Sequence, residues 1–295
     1  MPWWQLTVQC TKDELEYTEN QLLQLGALSI SITDAYDEPI YEPLPGEQPL
    51  WSHSLVTGLF DQSQTLEQLY DALVARLPER QLSYIKKELL EDQQWERVFL
   101  ERYTPIAFGK NIWVCPSWHE PPDANACNII LDPGIAFGTG SHPTTALCLE
   151  YLDQHPPVNQ TVMDYGCGSG ILAIAAYKLG AKQVSCIDID PQALQATRQN
   201  FIRNDIELDQ VHIELPNAQA PLPQFDYFIA NILSGPLIEL EPRFAQMTHA
   251  GSRLLLSGIL DTQTDAILET YSQHFELDRV MVQDQWCRVS GVRKA

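Results

Sequence analysis

The first 90 residues show the apolar and polar spacings of short strands and helices in alternation. Residues 28–32 alternate strictly between apolar and polar side chains, which is typical of a half-buried strand. Thr11 and Glu14 have the spacing of a helix capping box, and Gly26 stands where a helix-ending glycine is expected. The predicted elements are strand 3–10, a helix from Thr11 to Gly26, strand 28–32, strand 54–60, helix 65–77 and strand 82–88. This β-α-β-β-α-β order predicts a small ferredoxin-like α+β domain over residues 1–90.

Residues 91–105 separate this domain from the rest of the chain. Residues 91–102 are mostly polar, and Trp95 and Phe99 lie four residues apart, as on one face of a helix. Pro105 favours an end to the helix, because proline disfavours the helical conformation in the residue before it. We therefore expect residues 91–105 to form a linker helix.

Residues 106–295 have a different pattern, in which apolar runs of strand length alternate with helical segments. Strands are predicted at 161–166, 184–190, 211–215, 225–232 and 253–259, and helices at 171–180, 191–204, 236–247 and 262–274. Strands that alternate with helices indicate a parallel, doubly wound sheet. Two further apolar runs within 279–292 flank Asp284 and Gln285, which predicts a terminal antiparallel hairpin. Residues 106–295 are thus expected to form one Rossmann-like α/β domain.

The chain carries a large excess of acidic side chains. Its 295 residues include 18 Lys and Arg and 39 Asp and Glu, which gives a formal net charge of −21. Both parts share the excess, with −9 on residues 1–90 and −12 on residues 91–295. Non-specific binding to nucleic acid or to an anionic membrane requires a basic surface, so both are disfavoured. A basic protein is the partner that this charge favours.

Cysteine and histidine usage argues against disulfides and against a metal. The seven cysteines are odd in number and include no Cys-x-x-Cys pair, so we expect reduced thiols in a cytoplasmic protein. The seven histidines show no spacing typical of metal ligands, and no bound metal is expected. The start of the sequence shows no signal-peptide pattern, and no apolar run reaches the roughly 18 residues of a membrane helix.

The strongest chemical signal is the run from Asp164 to Gly170, in which an apolar strand leads into a glycine-rich turn and then a helix. Gly166, Gly168 and Gly170 allow positive φ and a close approach of a ligand to the backbone. Asp188 follows 22 residues after Gly166, at the end of the next predicted strand. A carboxylate at that place can accept hydrogen bonds from both hydroxyls of a ribose. The run therefore predicts a site for a ligand that contains a nucleoside.

Two classes of ligand use this layout. A dinucleotide site requires Gly-x-Gly-x-x-Gly, whereas here Ile171 stands in place of the third glycine. A negatively charged pyrophosphate would also be repelled by the Asp164 carboxylate. A sulfonium cation with an amino-acid head group would be compatible with it. The run D-x-G-x-G-x-G resembles the first motif of the class I S-adenosylmethionine-dependent methyltransferases. A nicotinamide cofactor, or a tight turn without any ligand, are the alternatives.

Asn231 provides the second signal, at the end of the predicted strand 225–232. Ligands of doubly wound folds bind outside the carboxyl ends of the strands, so Asn231 is expected in the same crevice as Gly166. Its amide oxygen can accept a hydrogen bond from an incoming amine. Methyltransferases that act on adenine or on glutamine amides carry (D/N)-P-P-(Y/F) here, and the absence of both prolines and the aromatic disfavours such flat acceptors. An asparagine that caps the next helix is the other interpretation.

The segment 131–145 provides the third signal. It contains three glycines, two prolines and several hydroxyl side chains, which predicts a loop followed by a helix from about residue 144. Its backbone donors and Thr145 are candidates for holding the carboxylate of the cofactor. Phe137 is a candidate cofactor contact and equally a candidate core residue. His142 is a lone histidine, and such residues are more often structural than catalytic.

Several segments spread over nearly the whole chain together resemble one family. They are the start MPWWQL, YEPLPGE (41–47), WVCPSW (113–118), LDPGIAFGTGSHPTT (131–145), DYGCGSGILAIAA (164–176), IDIDPQAL (187–194), NILSGPL (231–237) and LSGIL (256–260). In these segments the chain is similar to the bacterial ribosomal protein L-eleven methyltransferases, the PrmA family.

The resemblance implies a cytoplasmic enzyme that methylates lysine side-chain amines and the N-terminal amine of ribosomal protein L-eleven, a basic protein, with S-adenosylmethionine as cofactor. It implies a class I methyltransferase domain with a seven-stranded, mostly parallel sheet, preceded by a domain that recognises the substrate protein and swings on the linker. The cofactor positions of the family fall on Thr145, Gly166, Asp188 and Asn231, with Gly168 and Phe137 as further candidates. We expect Asn231 to position the acceptor amine and name no general base, because the proton can leave to water beforehand.

Three other functions stay open at this point. A methyltransferase acting on RNA would use residues 1–90 to bind the RNA, with Trp3 and Trp4 stacked on bases, but the net charge of −9 on these residues opposes it. Another protein is a further possible acceptor of the methyl group. A binding module without catalysis would keep the glycine turn and lose the chemistry. A nicotinamide dehydrogenase is the third function, and titration with the two cofactors separates it from a methyltransferase.

Overall fold

The computed structural model describes residues 3–36, 38, 50–90, 103–132, 142–217 and 223–295. The chain divides into two compact units, Met1–Val98 and Phe99–Ala295. The linker helix expected over 91–102 lies outside the described residues, while residues 103–105 are described and are not helical. The substrate-recognition role expected of residues 1–90 stays a prediction.

In its described residues, the first unit contains a four-stranded antiparallel sheet and two α-helices. Its elements are β1 (Trp3–Thr11), α1 (Leu15–Gln24), β2 (Ser29–Asp34), β3 (His53–Phe60), α2 (Leu66–Val74) and β4 (Ile85–Leu90). The strands lie in the order β2-β3-β1-β4, all antiparallel, so the predicted β-α-β-β-α-β arrangement is confirmed. Every second residue of β3 is buried, and the core of this unit includes Leu6, Val8, Leu22, Val56 and Leu69.

The predicted capping box starts α1 through a short 3-10 turn. The Glu14 carboxylate accepts hydrogen bonds from Thr11 N and Thr11 Oγ1, each at 3.0 Å. Arg80 pairs with the same carboxylate. After α1, Gly26 has a φ of 94°, which confirms it as the residue that ends this helical segment.

The second unit begins with a small sheet that is not predicted from the sequence. Its strands are β5 (Ile106–Phe108), β6 (Ile112–Cys115) and β7 (Cys127–Ile130). β5 is antiparallel to β6, and β6 is parallel to β7. Runs of three or four residues are too short for an alternation of apolar and polar side chains to indicate a strand.

The large sheet of the second unit has the predicted doubly wound pattern. Its strands are β8 (Thr161–Tyr165), β9 (Gln183–Ile187), β10 (Val211–Glu214), β11 (Phe225–Asn231), β12 (Thr248–Leu260), β13 (Phe275–Leu277), β14 (Met281–Gln283) and β15 (Trp286–Arg293). The helices are α3 (Pro143–Gln154), α4 (Ile171–Lys178), α5 (Pro191–Arg203), α6 (Ser234–Gln246) and α7 (Thr264–Tyr271). The strand order is β10-β9-β8-β11-β12-β15-β13, parallel through β12 and antiparallel beyond it.

The terminal hairpin adds an eighth strand to the expected seven. Seven strands form the continuous path of the sheet, and β14 pairs with β15 outside that path. β14 and β15 are antiparallel, which confirms the predicted hairpin. Asp284 and Gln285 turn the chain between them with φ of 48° and 67°.

Apolar residues cover both faces of the large sheet, as a doubly wound fold requires. Val162 of β8 and Ile229 of β11 belong to the core cluster that includes α3 and α4. Side chains alternate between the faces of a strand, so Asp164 and Asn231, each two residues further on, face the same side. The fold therefore brings an acid and an amide to one edge of one face.

Three further observations concern the described ranges only. No helix there has the length and apolar character needed to cross a membrane. No group of three or more histidine, cysteine or acidic side chains there is arranged to hold a metal ion. All seven cysteines are free thiols, and six of them are buried.

Candidate active site

A glycine turn joins β8 to α4 at the carboxyl edge of the large sheet. Gly166, Gly168 and Gly170 have φ of 78°, 56° and 79°, in the left-handed region that residues with a Cβ rarely adopt. Gly166 N and Cys167 N donate hydrogen bonds to Ile187 O at 2.7 and 3.1 Å, which ties the turn to the end of β9. The backbone itself therefore requires these glycines, whatever ligand the turn holds.

Asp188 follows β9, and its carboxylate reaches back to the glycine turn. Oδ2 accepts a hydrogen bond from Gly168 N, and Oδ1 accepts one from Asp190 N, both at 2.9 Å. Asp190 in turn caps α5 by accepting a hydrogen bond from Gln192 N at 2.8 Å. A carboxylate has about four lone-pair sites, so Asp188 keeps acceptors for the hydroxyls of a ligand. The structure thus brings Gly168 and Asp188 into direct contact.

Asp164 is a buried acid at the start of the glycine turn, with 1% of its surface exposed. Its Oδ2 accepts a hydrogen bond from Ala173 N at 3.0 Å, in the first turn of α4. Burial raises the pKa of the Asp164 carboxyl to about 7, the hydrogen bond from Ala173 opposes this rise, and the charge of Asp188 adds to it. A nearby positive charge favours the ionised form of such an acid. A cation bound at the turn would therefore favour the ionised form of Asp164.

The raised pKa of Asp164 predicts a specific dependence of stability on pH. Its ordinary value is 3.8 and its value in the fold is about 7, so the native state binds more protons between these limits. This carboxyl therefore lowers the free energy of unfolding by roughly 4 kcal/mol as pH rises from about 4 to 7. Urea denaturation at several pH values measures it. Asp164→Asn should lose this decline relative to the wild type, and parallel pH curves for the two proteins would refute the raised pKa.

Asn231 is the last residue of β11 and is half-buried. β11 pairs with β8 so that Ile229 lies opposite Asp164, and this register brings Asn231 level with Gly166. The N-cap position of α6 is occupied by Leu233, so the interpretation of Asn231 as a helix cap is wrong. Among the described residues, no hydrogen bond reaches the Asn231 side chain. Its amide is therefore available at the same edge as the glycine turn.

Ile232 fixes the backbone after Asn231 against two glycines from other elements. A Cβ added to Gly166 would overlap Ile232 Cγ2. A Cβ added to Gly258 of β12 would overlap Ile232 O and would lie 2.7 Å from Ile232 C. The position of Asn231 therefore depends on close approach from both sides, which only glycine permits.

The predicted loop and helix at 131–145 contribute His142 and Thr145. His142 is the N-cap of α3, where its Nδ1 accepts a hydrogen bond from Thr144 N at 3.3 Å and lies 2.7 Å from Thr144 Oγ1. Burial lowers the pKa of His142, so its ring is neutral at pH 7. Thr145 lies in the first turn of α3 with 2% of its surface exposed. Phe137 lies outside the described residues, and its role stays a prediction.

Two apolar side chains at this edge escape prediction from the sequence. Ile189 directly follows Asp188 and exposes 81% of its surface, which offers an apolar surface to a flat ring. Trp286 begins β15, and its ring centroid lies 4.8 Å from that of His142 in an edge-to-face arrangement. Two signals in the sequence would have found them. Ile189 stands between two aspartates, and Trp286 directly follows the predicted hairpin turn.

Comparisons with known proteins agree over nearly the whole chain. A family model described as ribosomal protein L11 methyltransferase (PrmA) matches residues 2–294. A curated relative of that name from Enterobacter sp. (strain 638) is 46% identical over 100% of both chains. Another from Actinobacillus pleuropneumoniae serotype 3 (strain JL03) is 47% identical over 100% of both chains.

One solved structure is similar to this chain over part of its length. It is the ribosomal protein L11 methylase from Lactobacillus delbrueckii subsp. bulgaricus, which aligns with a TM-score of 0.58 and 32% identity. The alignment covers 65% of the present chain and 100% of the solved one.

Proposed function

The chain belongs to the ribosomal protein L11 methyltransferase family, and we propose that it transfers methyl groups from S-adenosylmethionine to amines of ribosomal protein L11. The proposed acceptors are lysine side chains and the N-terminal amine. One observation carries the proposal. The glycine turn, Asp188 and the available amide of Asn231 lie at one edge of one sheet.

The residues at this edge fit S-adenosylmethionine, which supplies an already activated methyl group when bound. Asp188 keeps lone pairs for the two ribose hydroxyls while it holds Gly168. Ile189 offers an apolar surface to the adenine. The buried carboxylate of Asp164 favours a sulfonium cation over a neutral thioether. Thr145, in the first turn of α3, is proposed to hold the amino-acid end of the cofactor, because a helix N-terminus favours a carboxylate.

The acceptor must enter the crevice as a neutral amine. A lysine pKa near 10.4 makes the neutral form cost about 4 kcal/mol at pH 7, at about 1.36 kcal/mol per pKa unit. A dry crevice lowers this cost, because burial disfavours the ammonium form. Asn231 Oδ1 then accepts a hydrogen bond from the amine and aligns its lone pair, which accelerates transfer through orientation. Because the proton leaves to water before the amine enters, no general base is assigned.

The charge of the chain supports a basic protein as acceptor. The net charge is −21, and the first 90 residues carry −9 of it, which favours encounter with a basic protein over an RNA. We assign recognition of the substrate protein to these residues and place the reaction in the cytoplasm. The seven free thiols agree with a reducing compartment.

Substitution of Asn231 tests whether this residue aligns the acceptor amine, because loss of that alignment should lower kcat. Asn231→Ala should lower kcat about 100-fold, because a lost positioning contact acts on the reacting geometry. Asn231→Asp keeps the shape but adds a negative charge, which holds the amine as ammonium. Its rate should therefore recover as pH is raised, with an optimum above that of the wild type. Steady-state kinetics across pH measure both. An Asn231→Ala enzyme with wild-type kcat would contradict the proposed role.

Transfer of a radiolabelled methyl group tests the proposed function. The purified protein is incubated with labelled S-adenosylmethionine and with ribosomal proteins and RNA from cells that lack this methylation. Label on one protein band, identified as L11 by mass spectrometry, is expected. Label on RNA or on a different protein would refute the proposed acceptor. Absence of label with the cofactor bound would leave a binding module without catalysis.

A further inference from the structure

Helix α5 contacts the glycine turn with polar side chains that have no part in the site described above. Asn200 Nδ2 donates a hydrogen bond to Ser169 O at 2.8 Å, and Asn200 is 7% exposed. One turn earlier, Thr197 Oγ1 donates to Gly168 O at 2.9 Å. Side chains of α5 thus donate hydrogen bonds to two carbonyls of the glycine turn. The bond to Ser169 O is buried, and the bond to Gly168 O is partly buried.

The same helix also contacts Asp132, which lies two residues after the end of β7. Arg203 Nη1 donates to Asn200 Oδ1 at 2.8 Å, and Arg203 Nη2 lies 3.4 Å from Asp132 Oδ2. Asp132 in turn accepts hydrogen bonds from Ser117 N at 2.7 Å and from Ser117 Oγ at 3.0 Å. Asp132 is therefore held from two directions.

Asn204 fixes the end of α5 against the small sheet beside Asp132. Its Oδ1 accepts a hydrogen bond from Ile130 N, and its Nδ2 donates to Ile130 O and to Asn200 O, all at 2.8 Å. Ile130 ends β7, two residues before Asp132. An amide that satisfies both backbone groups of one residue leaves the helix end little freedom to shift.

We propose that Asn200 and Arg203 are positioning residues for cofactor binding. With Ser169 and Asp132 they form a chain of two hydrogen bonds and one ion pair, here called the α5 relay, from the glycine turn to Asp132. The relay holds the Ser169 carbonyl, and with it the glycine turn, at one separation from Asp132, so that the turn keeps the conformation in which it contacts Asp188 and receives the cofactor. This proposal rests on the proposed function, because it takes S-adenosylmethionine as the ligand.

Arginine at 203 is suited to the relay because its guanidinium is a planar fork. One nitrogen reaches the Asn200 amide oxygen while another reaches the Asp132 carboxylate. A lysine has a single charged nitrogen and serves only one of these partners at a time. Both partners of the pair are partly exposed, with 37% and 25% of the side chains of Arg203 and Asp132 accessible. Removing the pair is therefore expected to alter geometry more than the free energy of unfolding.

Isothermal titration with S-adenosylmethionine tests the relay in the full chain. Arg203→Met should raise Kd about tenfold, as for loss of a coupled hydrogen-bond network. Arg203→Lys should recover part of this loss. The matched control is Arg198→Met on the same helix, because Arg198 bonds Ile213 O at 2.7 Å outside the relay. It should leave Kd within about twofold.

A double-mutant cycle and the steady-state constants distinguish positioning from general stability. The variant Asp132→Asn with Arg203→Met should bind no more weakly than Arg203→Met alone, because the two residues act through one chain of bonds. KM for the cofactor should rise while KM for the substrate protein stays unchanged. Equal Kd for Arg203→Met and Arg198→Met, or additive losses in the cycle, would overturn the relay. Wild-type protein that does not bind S-adenosylmethionine would instead refute the proposed function.

Discussion

Replacement of Asp188 with alanine is expected to weaken binding of S-adenosylmethionine at least 100-fold and to abolish detectable methyl transfer. The variant loses the acceptor for Gly168 N and the proposed acceptors for two ribose hydroxyls. Hydrogen bonds to a charged group contribute roughly 1.5–3 kcal/mol each, so loss of two ribose contacts alone reaches about 3–6 kcal/mol. Isothermal titration and a methyl-transfer assay measure the two effects.

The matched control for Asp188 is Asp190, two residues further along the same segment. The Asp190 side chain caps α5 through Gln192 N, whereas its contact with Asp188 uses only the backbone N–H. Asp190→Ala should cost about 1 kcal/mol of stability as a lost helix cap and leave the cofactor Kd within about threefold. Similar Kd values for the two alanine variants would show that the Asp188 carboxylate does not bind the ribose.

Replacement of Gly258 with alanine is expected to destabilise the fold by about 3 kcal/mol or more and to reduce kcat at least tenfold. A Cβ at this position would overlap Ile232 O and lie 2.7 and 3.1 Å from Ile232 C and N. These are backbone atoms, so the segment that carries Asn231 must move. The φ of 83° adds a further cost of about 1–2 kcal/mol for a residue with a Cβ.

Gly251 is the matched control for Gly258, because it shares the positive φ of Gly258 but lacks the close contact with other atoms. Gly251 has a φ of 89°, and a Cβ there would meet no atom within 4 Å. Gly251→Ala should therefore cost only the conformational term of about 1–2 kcal/mol and leave kcat unchanged. Urea denaturation and steady-state kinetics measure both variants. Equal losses of stability in the two would show that the contact with Ile232 is unimportant.

Local patterns in the sequence predicted those elements whose conformation is determined by residues close together in the chain. The glycine run 166–170 is recognisable because three positive φ values within one turn require glycine. The terminal hairpin is recognisable because Asp284 and Gln285 interrupt two apolar runs, and both residues adopt positive φ. Alternating strands and helices predicted the parallel order, since a doubly wound sheet needs a helix between successive strands.

Features that depend on distant parts of the chain were not predictable in the same way. The α5 relay joins Asp132 to Arg203, 71 residues later in the chain. The contact between Gly258 and Ile232 requires two neighbouring strands to be in register. β5–β7 are too short to show a period, so their sheet was found only in the fold. His142 is a related case. The sequence allowed a structural or a catalytic role for it, and the fold shows that it caps α3.

A crystal structure of the ternary complex with S-adenosylhomocysteine and a lysine-containing substrate tests the central claim most directly. We expect Asp188 within hydrogen-bond distance of both ribose hydroxyls and Asn231 Oδ1 within that distance of the acceptor amine. The amine nitrogen should lie where the transferable methyl group would be about 3–3.5 Å away. An amine that binds away from Asn231, or a cofactor that leaves Asp188 without contact, would contradict the proposed site.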